Sequence, residues 1–146
     1  MGEISASQSI QIAAAPDVVT GALADYTEVR PAILPEQYHD YKVLEGGTGD
    51  GTVVHWILQA TKSRQRDVKA SVSVAGSTIT ERDANSTMVT TFTVTPAGGG
   101  SAVTATTTWT SNASGIGGFF EKTFAPKGLG RIQAALLANL KTRLEK

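Results

Sequence analysis

Between residues 127 and 144 the apolar side chains recur at spacings of three and four. Leu129, Ile132, Leu136, Leu140 and Leu144 fall on one stripe with Leu137 beside them, and Lys141, Arg143, Glu145 and Lys146 lie off it. A face of this width marks an amphipathic helix that must lie on a larger apolar surface. At ~1.5 Å per residue the run from Lys127 to Leu144 spans roughly 25 Å. Phe119, Phe120 and Phe124 extend the apolar surface upstream. Pro126 predicts a break at Ala125–Pro126, with a first turn or two over 116–124.

The remainder of the chain reads mostly as strands that could supply that surface. Residues 3–12 alternate through Ile4, Ala6, Ile10 and Ile12. Ala15-Pro16-Asp17 opens a helix that buries Val18, Val19, Ala22 and Leu23 and ends near Asp25-Tyr26. A second short helix or turn follows from Thr27 to Leu34, limited by Pro31 and Pro35. Strands are predicted over 38–45, 53–60, 66–74, 78–83, 88–95 and 101–110. Folding the last hairpin in register sets Val94 against Val103, Phe92 against Ala105, Thr90 against Thr107 and Met88 against Trp109. The other face is then a row of threonines: Thr91, Thr93, Thr95, Thr104, Thr106 and Thr108. One face is core-facing and the other solvated.

Composition narrows the functional classes. With 146 residues and 40% apolar content, residues 1–146 are expected to form one domain with a core and room for a cavity. Lysine plus arginine and aspartate plus glutamate number thirteen each, so no field draws the chain to nucleic acid or to an anionic membrane. Cysteine is absent, which excludes disulfides and thiolate chemistry. No secretory signal, myristoylation match or membrane-length apolar run is read, and a cytoplasmic protein without a stable membrane anchor is expected. Asn85-Ser86-Thr87 and Asn112-Ala113-Ser114 fit the glycosylation pattern, which arises easily by chance.

Candidate chemistry is sparse. The run Glu45-Gly46-Gly47-Thr48-Gly49-Asp50-Gly51-Thr52 could form an anion nest, but it lacks the Gly-Lys-Ser/Thr ending and precedes a strand. It reads instead as a turn needing positive φ at several positions. His55 belongs to the more polar face of its strand and His39 to a strand start, so no metal site is expected. Tyr26, Tyr38, Tyr41, Trp56 and Trp109 offer hydroxyl or indole donors to a bound ring. Glu81 is the informative residue. The drawn pairing sets it with Ile79 and Asp83 on the face of Val72, Val74 and Phe92, with Arg82 outward, whereas a one-residue slip makes Arg82 the inward group. In an apolar cavity the Glu81 carboxyl is expected to have a raised pKa, fit to act as an acid or as a polar anchor.

Strand, two short helices, six strands and a long C-terminal helix is the helix-grip order. On Leu44 to Thr52, and on Gly117-Gly118-Phe119-Phe120-Glu121 through Leu140, the chain resembles the START-like, or SRPBCC, superfamily. Pollen allergens and small bacterial proteins of the polyketide cyclase/dehydrase and lipid-transport type belong to it. The resemblance implies an α+β fold whose curved sheet wraps the long helix around an apolar cavity. Trp56, Val72, Met88, Phe92, Val94, Trp109, Phe120 and Phe124 are the expected ligand-binding residues, with Glu81 as the candidate catalytic group. Binding or transport of a lipid or polyketide-like molecule is expected, without a cofactor. A cyclase or dehydrase using an inward carboxylate is the alternative, and a homodimer is compatible with either.

Overall fold

The alternation read along the strands becomes one antiparallel sheet in the computed structural model, which describes residues 3–61, 64–110 and 126–145. The elements are β1 (Glu3–Ile12), α1 (Pro16–Leu23), α2 (Val29–Ile33), β2 (Tyr38–Glu45), β3 (Val53–Thr61), β4 (Arg64–Ala75), β5 (Thr78–Asp83), β6 (Val89–Ala97), β7 (Gly100–Thr110) and α3 (Pro126–Leu144). The seven strands are ordered β1-β7-β6-β5-β4-β3-β2. Each consecutive pair from β2 to β7 is a neighbour, as hairpin connections dictate. Only the passage from β1 through α1 and α2 to β2 crosses from one edge to the other.

The inward face is set by the period of two. Val72 pairs with Glu81, Val74 with Ile79, and Ile79 with Phe92. Val94 pairs with Val103, Phe92 with Ala105, and Thr90 with Thr107. These registers agree with the sequence reading, and Arg82 is exposed. Pairing of β6 with β7 starts at Val89–Thr108, so Met88 lies just before the strand and has no Trp109 partner in the ladder. On the outer face Ser7 and Thr106 share a hydroxyl hydrogen bond of 3.1 Å, and Ser9 and Thr104 one of 2.9 Å.

α3 covers the inner face, burying Leu129, Ile132, Leu136, Leu137 and Leu140 against strand residues that include Ala6, Ile12, Phe92 and Val103. It begins at Pro126, where the missing N–H costs nothing because the first turn has no internal acceptor for it. Its far end is tied to the end of β1: Ala13 N donates to Glu145 Oε2 (2.7 Å) and Lys141 Nζ to Gln11 O (3.0 Å). Asn139 Nδ2 donates to Ile33 O (3.0 Å), which joins α3 to α2. The expected turn at 116–124, the break at 125–126 and the candidate residues Phe120 and Phe124 fall outside the described residues, as does Phe119, except that Pro126 itself is helical. Among the described residues no helix is long and apolar enough to cross a membrane.

Candidate ligand site

The site is assembled by the two short helices and the glycine-rich turn. Asp25 ends the α1 segment and organises the next turn: its Oδ1 accepts from Thr27 N (3.1 Å), Thr27 Oγ1 (2.9 Å) and Glu28 N (3.0 Å). The Glu28 amide, foremost among these donors, holds the Asp25 carboxyl below its ordinary pKa. The glycine turn docks on the same segment, with Tyr26 N donating to Gly47 O (2.9 Å) and Gly49 N to Ala24 O (2.9 Å). Close approach explains Gly47, because a Cβ there would collide with Thr27 Cγ2. A neighbouring glycine, Gly46, has a φ of 66°, a value that side-chain-bearing residues rarely adopt. The turn is thus a clamp for the strand-to-helix passage rather than an anion nest.

That clamp aims Tyr26 and Arg30 inward. Arg30 is 1% exposed, and its Nη1 donates to Glu81 Oε2 at 2.5 Å. Its Nη2 donates to Leu23 O at 2.7 Å. Tyr26 Oη donates to the same Glu81 Oε2, also at 2.5 Å. The guanidinium carbon sits 4.4 Å from the Tyr26 ring centre and 5.1 Å from that of Phe92, within cation–π range. Burial disfavours the charge on Arg30, but Tyr26 and Glu81 outweigh it and its pKa rises. Burial pushes the hydroxyls of Tyr26, Tyr38 and Tyr41 well above the ordinary tyrosine value.

Beside this cluster, between the sheet and α3, lies a narrow, partly open cavity. Its sheet side is formed by Trp56, Leu58, Phe92 and Ala105, its helix side by Leu129 and Leu136. Arg30, Tyr38, Glu81, Thr90, Thr107 and Gln133 add polar groups, and Met88 a flexible one. Tyr38 meets Trp56 edge-on with ring centres 5.5 Å apart, and Tyr41 stacks on the same indole at 6.4 Å. Tyr41 Oη donates to Tyr26 O at 2.6 Å, so one aromatic group supports the other.

Of the residues expected at the site, Glu81, Trp56, Met88 and Phe92 line this cavity. Val72, Val94 and Trp109 are buried on the same inner face, in the core but not along the cavity wall. The expectation of a single inward ionisable group is corrected by Arg30, which is buried beside Glu81 and pairs with it. A guanidinium and a phenol both donate to one oxygen of the carboxylate. Two residues went unread. Arg30 stands four positions after Tyr26, within the short helix or turn expected over Thr27–Leu34, but nothing along that segment told which of its side chains turn inward. Gln133, four after Leu129, lies within the apolar stripe of α3, and a polar residue on such a stripe was the available signal.

A family with this architecture matches the chain from residue 3 to residue 145; it is described as polyketide cyclase / dehydrase and lipid transport. The chain belongs to that family. It is 57% identical to the KanY protein (ms6282), whose NMR solution structure superposes with a TM-score of 0.91 over 100% of both chains. The fold is also that of the Zhui aromatase/cyclase from Streptomyces sp. R1128, at 15% identity, TM-score 0.77 and coverage of 98% of this chain and 94% of that one. The ginseng major latex-like protein 151 from Panax ginseng is similar at 15% identity and TM-score 0.72, with 98% of each chain covered. No functionally curated protein matches the chain.

Two further titratable residues, Asp83 and His55, stand apart from the cavity. Asp83, also inward on β5, is consumed by its own hairpin: Oδ1 accepts from Lys69 N (3.1 Å) and Asn85 N (3.0 Å), and Oδ2 from Ser86 Oγ (2.7 Å). His55, on the outer face, pairs with Asp67 at 2.9 Å. Among the described residues no group of three or more histidines and carboxylates is placed to hold a metal ion.

Proposed function

We infer that this protein binds a small, largely apolar molecule in the cavity between the sheet and α3, as a binding or carrier protein rather than as a cyclase or dehydrase. The observation that carries this reading is the pairing of Glu81 with Arg30 and Tyr26 beside an otherwise apolar wall. A general acid or base must be free to exchange a proton with the substrate at the reacting atom. Here the one carboxylate among the described lining residues is held by two buried donors, which suits a polar anchor better than a proton carrier. Glu81, Trp56, Met88 and Phe92 are the proposed contacts from the sequence, to which Arg30 and Gln133 are added. Family membership agrees with ligand binding of this general kind.

Ala105 is central to the sheet wall and almost wholly buried, so Ala105→Phe fills the cavity from the sheet side. Binding of a neutral apolar fluorophore, followed by its emission, should be lost in Ala105→Phe and kept in the parent. Native mass spectrometry of the purified protein should show a bound small molecule. A parent protein that takes up neither the fluorophore nor any co-purifying molecule overturns the reading.

A further inference from the structure

The hydrogen-bonding inventory of the cavity points to the chemistry of its ligand, given that a ligand binds there as proposed above. Both hydrogen bonds to Glu81 arrive at Oε2. Oε1 takes no hydrogen bond from the described residues, and Glu81 lines the cavity. An ionised carboxylate is acceptor-only, so this oxygen calls for a donor. Gln133 repeats the pattern on the helix side. Its Nε2 donates to Ala6 O (3.2 Å) and to Thr107 Oγ1 (3.0 Å). A backbone carbonyl can only accept, which fixes the amide orientation and leaves Oε1 turned the other way. Gln133 Oε1 is buried without a partner in a residue only 7% exposed, at the cavity wall.

These two acceptors stand at the ends of one polar row. Glu81 pairs with Thr90, and Thr90 with Thr107, in adjacent strands of the sheet. Thr90 and Thr107 share a hydroxyl hydrogen bond of 2.8 Å, and Gln133 reaches Thr107 from above. Adjacent strands are ~4.8 Å apart, so the row extends roughly 10 Å from β5 to β7, the scale of a fused ring system with polar substituents.

Charge decides the rest. Arg30 has its Nη1 on Glu81 and its Nη2 on the Leu23 carbonyl, and its Nε is a buried donor without a partner; among the described residues lining the cavity its charge is balanced by Glu81, the one carboxylate there. A ligand carboxylate would add a second negative charge beside Glu81 with no second cation among the described lining residues to balance it, and a buried unbalanced charge is strongly disfavoured. A ligand ammonium would face Arg30. We propose that the ligand is an uncharged ring compound that presents hydroxyl or N–H donors to Glu81 Oε1 and Gln133 Oε1, and that fatty acids and other carboxylates are rejected.

Three probes of one shape test this at neutral pH: naphthalene, naphthol and naphthoic acid, titrated into the full chain and followed by calorimetry or by amide chemical shifts. Naphthol should bind about tenfold or more tightly than either of the others, the scale of one hydrogen bond to a charged group. Glu81→Gln removes the anion while keeping the shape, leaves Arg30 unmatched, and should reverse the preference towards naphthoate. Gln133→Leu, which keeps Glu81 and Arg30 intact, should weaken naphthol and leave naphthalene unchanged. Naphthoate binding as well as naphthol in the parent overturns the proposal, as does naphthalene doing so, while the apolar-ligand reading stands in both cases. If none of the three binds, both fall together.

Discussion

Two carboxylates lie two residues apart on β5, face the same way and are buried to nearly the same degree, 6% exposed for Glu81 and 7% for Asp83. Their uses differ completely. Asp83 stands at the strand end, where β4 supplies the Lys69 N–H and the turn into β6 supplies the Asn85 N–H and the Ser86 hydroxyl, and both oxygens are satisfied. Arg66 Nε lies 3.6 Å away as a further favourable charge. Glu81 stands mid-strand, where every neighbouring amide is committed to the ladder. It takes its donors from α2 and from the Tyr26 that precedes it, both at Oε2, and its side chain lines the cavity with Oε1 taking no hydrogen bond from the described residues. Burial of a carboxylate therefore says little about function. Which of its lone pairs remains unclaimed, and what that lone pair faces, says much more.

The largest test of this contrast is to remove Arg30. Arg30→Met leaves the Glu81 carboxylate buried with only Tyr26 as donor, and breaking a buried pair from one side costs about 3–5 kcal/mol. Urea unfolding should show that loss, and pairing it with Glu81→Leu should recover most of it, because no uncompensated charge remains. A double variant as unstable as the single one would mean that Arg30 acts mainly through packing on Tyr26 and Phe92.

A smaller effect is expected at Asp83. Asp83→Ala strands the Lys69 and Asn85 amides and the Ser86 hydroxyl, a loss of about 1–3 kcal/mol by the same unfolding measurement. Affinity for a neutral apolar probe should stay at the parental value. An equal loss of affinity would erase the distinction between the two carboxylates.

The smallest effect concerns Tyr26 and alkaline pH. Burial raises its pKa well above 10.0, so the folded state keeps the phenol proton that the unfolded chain gives up. That stability is fully present below the unfolded value of roughly 10 and is lost as pH rises through the folded value. Circular dichroism with tyrosinate absorbance should show unfolding begin above about pH 10. In Tyr26→Phe the loss should be shallower, with Tyr38 and Tyr41 still contributing in the same direction. An unchanged alkaline profile in that variant would show that the Tyr26–Glu81 contact adds little.

The strands and the long helix were legible because they rest on periodicity. Alternation along 66–74 and 78–83 suggested pairing Val72 with Glu81 but left open the one-residue slip that turns Arg82 inward, and the folded sheet decides for Glu81. Glu81 could thus be named from the sequence as one of two candidates for the inward position. What surrounds it could not. Arg30 reaches Glu81 across 51 positions of sequence, from a five-residue helix that contains Pro31 and is too short to show a period of its own. Its direction is imposed by the glycine turn gripping Tyr26 and Ala24, a contact made only in the folded chain. Gln133 was hidden by the same cause in reverse. Its place on an apolar stripe could be read, but that Nε2 is taken by Ala6 and Thr107 while Oε1 is left over depends on how α3 lies on β1 and β7. Periodic burial is a local property of the chain and can be read along it. The partner of a buried polar atom is decided by the packing of distant segments, and only the tertiary structure supplies it.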